Sequence, residues 1–139
     1  MKISIGADHR GFNLKSEIIK KFSEYTWLDV GTHSLERTDY PIPARDVCHT
    51  ILEKKSELGI LICGSGIGVT IAANRFKKIY AGLCWNEDIA RVAKQDDGIN
   101  VLVLPADFLT SQQAFDIITT WLKTEFKAGV YQERLHMID

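Results

Sequence analysis

Leu58-Gly59-Ile60-Leu61-Ile62-Cys63-Gly64-Ser65-Gly66-Ile67-Gly68 is a continuous apolar run that breaks into glycines at alternate positions. A run of this kind, with no polar alternation, is what a central parallel strand needs when both of its faces are covered. It therefore predicts the middle of a sheet. The residues after it, Val69 to Phe76, are largely apolar or small and predict a buried helix entered through the glycine loop. Three glycines let successive backbone N–H groups point into one concavity at a helix N-terminus, which suits phosphate, a carboxylate or an enediolate oxygen. Cys63 is then expected on the lip of that concavity, where thiols gain thiolate character and serve as nucleophiles or proton-abstracting bases. A lone cysteine closing a strand ordinarily reads as an inert core residue, and it is the glycine loop beside it that favours the reactive reading. Dinucleotide binding fits poorly, because the glycines follow the third strand and are spaced G-x-G-x-G.

Outward from this stretch, short apolar runs alternate with helical patterns, the mark of βαβ units on a parallel sheet. Ile3 to Ala7 opens the chain as a strand, and Leu14, Ile18 and Phe22 repeat at four-residue spacing after it. Thr26 to Val30 is the second run. A polar loop from Thr32 to Pro41 leads to a helix opened by Pro43, with Ala44, Val47, Cys48, Ile51 and Leu52 on its buried face. Tyr80 to Trp85 is a fourth strand, followed by a helix capped by Asn86 that stops near Asp96 to Gly98. Val101 to Leu104 is the fifth, ended by Pro105, and Thr110 with Gln113 forms a capping box before a stripe of Ala114, Ile117, Ile118, Trp121 and Leu122. The more polar tail from Lys127 to Asp139 either frays or docks on a neighbour. The fold expected is a three-layer α/β/α sandwich with a mainly parallel five-stranded sheet, formed by residues 1–139 as one domain.

A chain of 139 residues with 45% hydrophobic and 25% charged residues has the composition of a globular domain, neither disordered nor membrane-spanning. Its formal net charge of -1 offers no global cationic field, so nucleic acid is not an expected partner. Three cysteines without paired spacing suit a reducing cytoplasm, and no signal segment precedes Asp8. His9, His33, His49 and His136 are scattered, so neither a metal nor any other cofactor is expected.

Sites in open parallel sheets form outside the carboxyl ends of the strands. Besides the glycine loop, two segments belong there. Asp8-His9-Arg10-Gly11 brings a carboxylate and an imidazole to the rim, where either side chain also suits a helix cap. Tyr40-Pro41 closes a connection of unusual length, a feature of ligand-contacting loops.

Together these segments resemble the ribose-5-phosphate isomerase type B family, with its galactose and allose phosphate relatives, over nearly the whole chain. The carriers of the resemblance are Gly6-Ala7-Asp8-His9-Arg10-Gly11-Phe12-Asn13-Leu14-Lys15, Glu36-Arg37-Thr38-Asp39-Tyr40-Pro41, and Gly59 to Gly68 with Ile71-Ala72-Ala73-Asn74-Arg75. The resemblance implies a Rossmann-like fold and cofactor-free interconversion of an aldose phosphate and a ketose phosphate. It also implies a homodimer or tetramer with shared sites. It assigns the base to Cys63 and an assisting hydroxyl to Ser65, with Asp8, His9, Tyr40, Gly64, Gly66, Ile67 and Gly68 around the sugar. Arg134 is the cation matching the family's C-terminal segment. Asp96 stands where the family carries its ring-opening histidine, and Pro105-Ala106-Asp107 replaces its G-x-R. Both departures predict slower opening of a cyclic sugar and weaker attraction of a phosphate dianion. Two further readings share these residues: a non-catalytic or altered-specificity sugar-phosphate-binding paralogue, and one subunit of a hetero-oligomeric hexose-phosphate isomerase.

Overall fold

The computed structural model describes residues 1–139. Five strands, β1 (Lys2–Ala7), β2 (Thr26–Asp29), β3 (Leu58–Cys63), β4 (Ala81–Leu83) and β5 (Val101–Pro105), form one sheet in the order β2-β1-β3-β5-β4. Every pairing is parallel, with Ile5 opposite Ile60 and Leu61 opposite Val103 fixing the central register. The helices are α1 (Phe12–Lys21), α2 (Pro41–Leu52), α3 (Ile67–Ala73), α4 (Glu87–Asp97), α5 (Ser111–Lys123) and α6 (Val130–Ile138), with a short 3-10 turn at Ala106–Phe108.

The apolar run in β3 serves two cores, because successive side chains of a strand point to opposite faces. Ile60 and Ile62 join Ile3, Ile5, Leu102 and Leu104 beneath α1, α4 and α5. Leu61 and Cys63 join Val101 and Val103 beneath α2 and α3. The outcome is the expected α/β/α sandwich with β3 at its centre. Local signals also hold: Asn86 Oδ1 accepts from the Ile89 amide at 2.9 Å, Gly98 ends α4 in the left-handed region, and Thr110 and Gln113 close the capping box.

Several boundaries and burials differ from the sequence reading. Helix α2 starts at Pro41, two residues before Pro43, since both prolines fit positions where no intrahelical N–H is needed. Leu52, at its last turn, is exposed. Helix α3 is shorter than expected and buries only Val69 and Ala73, leaving Ile67 and Ile71 in water. Strand β4 is an edge strand of three residues; Tyr80 and Trp85 fall outside it, and Trp85 is exposed. Trp121, by contrast, is fully buried against α4 and β5, as its place in the stripe predicts. The tail forms α6, whose Leu135 is buried and whose last residue, Asp139, accepts from the Lys78 amide at 3.1 Å and from the Tyr80 hydroxyl.

Candidate active site

The carboxyl ends of β1, β3 and β5 lie side by side, and the segments leaving them enclose a cavity of about 330 Å³. It is lined by Asp8, Arg10, Tyr40, Cys63, Gly64, Ser65, Gly68, Asp107 and Phe108. Cys63 closes β3 with only 5% of its surface exposed, so it forms the floor of the cavity and not its lip. The other two cysteines are fully buried, and burial pushes the Cys48 and Cys84 thiols up to about 12.

Each wall has a local cause. At the exit of β1, Asp8 is buried and its Oδ1 accepts from the Arg10 amide at 2.9 Å and the Gly11 amide at 3.2 Å. The carboxylate therefore holds the turn into α1 while also lining the cavity. Beyond Cys63, Gly66 adopts φ 75°, a left-handed conformation that opens the turn into α3, and Ser65 Oγ accepts from the Ile67 amide at 3.2 Å. Tyr40, at the N-terminus of α2, lies flat on this turn: a Cβ at Gly68 would stand 2.8 Å from its ring, so only glycine admits the contact. On the β5 side the Asp107 amide donates to the Gly64 carbonyl at 3.0 Å, tying the exit of β5 to the glycine turn.

The structure thus brings Asp8, Tyr40, Cys63, Gly64, Ser65 and Gly68 together. Gly66 and Ile67 shape the turn without lining the cavity; Gly66 is buried beneath Leu83 and Val103, and the Ile67 side chain points to solvent. His9 is not among the lining residues; its Nδ1 accepts from the Thr38 amide at 3.2 Å and braces the loop before Tyr40. Arg134 is not at this cavity at all. It sits on α6, stacked on Tyr131 at 5.3 Å, and α6 is anchored through Asp139 at residues 78–80, which enter β4 from the opposite end of the sheet. Asp96, in the last turn of α4, is likewise remote from the cavity lining. Its Oδ1 lies 3.0 Å from Lys127 Nζ, and the hydrogen bond from that ammonium, aided by Gln95, holds its carboxyl below the usual aspartate range.

The sequence reading missed Arg10 and Phe108 as cavity residues, and placed Asp107 near the phosphate through the replaced G-x-R but without its partner. Arg10 and Asp107 form an ion pair across 97 residues of chain, a contact that no local pattern announces. Phe108 has a weak signal, being a large apolar side chain left exposed just after the end of β5. No three His, Cys, Asp or Glu side chains converge as metal ligands would, and no helix is long and apolar enough to cross a membrane.

A buried thiol under a turn of backbone amides, with carboxylate, hydroxyl and phenol groups around it, can move a proton on carbon beside a carbonyl. Comparison with known proteins agrees. The family profile described as Ribose/Galactose Isomerase matches residues 3–138. The ribose-5-phosphate isomerase B of Escherichia coli K12 is 38% identical over 139 residues, covering 99% of this chain and 93% of that protein. The crystal structure of a ribose 5-phosphate isomerase from Thermotoga maritima superposes with a TM-score of 0.97 at 40% identity, covering 99% of this chain and 97% of the other. The Mycoplasma genitalium ribose-5-phosphate isomerase B, solved with bound ribulose-5-phosphate, gives 0.93 at 36% identity, with coverage of 99% and 93%.

Proposed function

Since the chain belongs to the ribose/galactose isomerase family, we propose that it interconverts ribose 5-phosphate and ribulose 5-phosphate, or a closely related aldose–ketose phosphate pair, with Cys63 as base. The observation that carries this reading is the placement of Cys63 on the floor of a sugar-sized cavity, with Asp8, Tyr40 and the glycine turn around it. The Cys63 thiolate takes the proton from C2 of the open-chain aldose, and the freed electron pair forms the C1–C2 double bond as the C1 carbonyl becomes an oxyanion. Ser65 relays the O2 proton to O1. The carbonyl then re-forms at C2, and the Cys63 proton is delivered to C1. Atoms and electrons are conserved within the sugar, so no external oxidant or reductant enters. Backbone N–H groups of the turn stabilise the charge that develops in the enediolate.

Turnover in D2O tests this reading: ribulose formed from ribose 5-phosphate is expected to carry solvent deuterium at C1. Absence of turnover on any aldose phosphate would overturn it. Asp96, ionised and held by Lys127, accepts a proton but cannot donate one to a ring oxygen. An open-chain analogue is therefore expected to turn over faster than the cyclic sugar in the same assay.

A homodimer or larger assembly belongs to this proposal, with the outer face of α6, whose inner face packs on its own chain, set against a neighbouring subunit. Exposed apolar side chains support it: Ile67 and Ile71 on α3, and Val130, Met137 and Ile138 on α6. So do Asp96 and Arg134, which are remote from their own chain's cavity and would serve only a partner's. Sedimentation at micromolar concentration is expected to give at least a dimer, and a monomer there would remove the shared site. Three unpaired cysteines fit a reducing cytoplasm as the place of action.

A further inference from the structure

Arg10 is the only basic side chain lining the Cys63 cavity, and it stands against two carboxylates, Asp8 and Asp107. Asp8 is already committed to the amides of Arg10 and Gly11, whereas Asp107 is paired with the Arg10 guanidinium itself. The pair lies directly over the glycine turn: a Cβ on Gly64 would stand 2.6 Å from Arg10 Nε and 2.6 Å from Asp107 Oδ2. Its depth is the reverse of that of Cys63. The thiol is 5% exposed at the floor, while the Arg10 and Asp107 side chains are 57% and 35% exposed at the mouth.

A sugar phosphate whose C1 and C2 reach the floor must leave its far end, the phosphate, at the mouth. Resting on the isomerase reading above, we propose that Arg10 is the phosphate-receiving residue of this chain, with Asp107 occupying its guanidinium until the phosphate displaces it. A half-exposed ion pair is weak because water screens it, so the exchange is feasible. A phosphate dianion offers more charge than the carboxylate and accepts the guanidinium fork through two oxygens. Asp107 thereby acts as a specificity residue: it repels anions from the mouth and yields only to a group that pairs with Arg10 more strongly than it does.

The test is titration of inorganic phosphate into the intact protein, followed by 31P NMR, alongside KM and kcat on ribose 5-phosphate. Arg10→Met is expected to weaken phosphate binding and raise KM by about tenfold or more, with kcat held within about threefold. Asp107→Asn is expected to do the opposite, tightening phosphate binding severalfold, a gain that misfolding cannot imitate. In the Arg10→Met background, Asp107→Asn can relieve only the repulsion by the carboxylate, so phosphate binding should stay weaker than in the parent protein. Unaltered phosphate binding in Arg10→Met, or weakened binding in Asp107→Asn, would overturn the proposal. Because the titration needs no turnover, it decides the role of Arg10 even if the parent protein fails to isomerise ribose 5-phosphate, and the two readings fail separately.

Discussion

Replacing Cys63 by serine is expected to lower kcat for aldose–ketose interconversion by roughly 10²- to 10⁴-fold, the range for losing a positioned general base, with the KM for the sugar phosphate almost unchanged. The split follows from position. On the proposed mechanism Cys63, at the floor of the cavity, faces the atoms that exchange a proton, whereas the phosphate is received at the mouth by other groups. In free energy the loss is about 3–5 kcal/mol of transition-state stabilisation. Serine is the informative substitution because Cys63 is also a packing residue, one of ten in the core beneath α2 and α3. Cys63→Ala would mix a lost base with a small void. Near-ultraviolet circular dichroism should show the serine variant folded. Turnover within tenfold of the parent would move the base elsewhere in the cavity.

The parts of this molecule that were legible in the sequence are those set by short-range physics. The β3 run could only be a doubly covered strand, and its alternation of Ile60 and Ile62 against Leu61 and Cys63 between two cores followed from strand geometry. Asn86 and Thr110 were legible because a cap and the amide it satisfies lie within three residues. The candidate site was legible at Asp8, Tyr40, Cys63 and Ser65, since the carboxyl edge of a parallel sheet gathers such segments by topology alone. What stayed hidden depends on long-range partners. Arg10 carries no role of its own in the rim segment until Asp107 is beside it. Ile71 reads as part of a buried helix until the short α3 turns only one face inward. Arg134 reads as a site residue from its motif, yet the docking of Asp139 against residues 78–80 carries its helix to the other end of the sheet.

Lys15 is the most costly of these hidden features, and removing its partner is expected to be the largest single destabilisation of a polar contact in the chain. A lysine in the first turns of an amphipathic helix ordinarily reaches water, but Lys15 is 1% exposed, with Nζ 2.5 Å from Asp29 Oδ1 and 2.6 Å from the Thr32 carbonyl. Asp29 Oδ1 also accepts from the Gly31 amide at 3.0 Å, so one carboxylate joins α1 to the end of β2 and to the start of the loop that carries Tyr40. Breaking a buried pair by deleting one member strands the other charge away from water, and that penalty exceeds the value of the pair itself. Asp29 keeps 32% of its side chain exposed, which moderates the cost. Asp29→Ala is therefore expected to lower stability by about 2–3 kcal/mol, below the 3–5 kcal/mol of a fully enclosed pair. For a chain of this length that is a fall in Tm of roughly 7–10 °C. Lys15→Met, which removes the charge and keeps an apolar stem of similar length, is expected to cost much less. Adding Lys15→Met to Asp29→Ala should then recover part of the loss, as no charge remains to be stranded. Thermal and urea unfolding of the two single variants and the double variant measures this. Equal destabilisation by both single variants, with neither further loss nor recovery in the double, would mean that the contact stabilises through its bonds and not through the charge that its loss leaves behind.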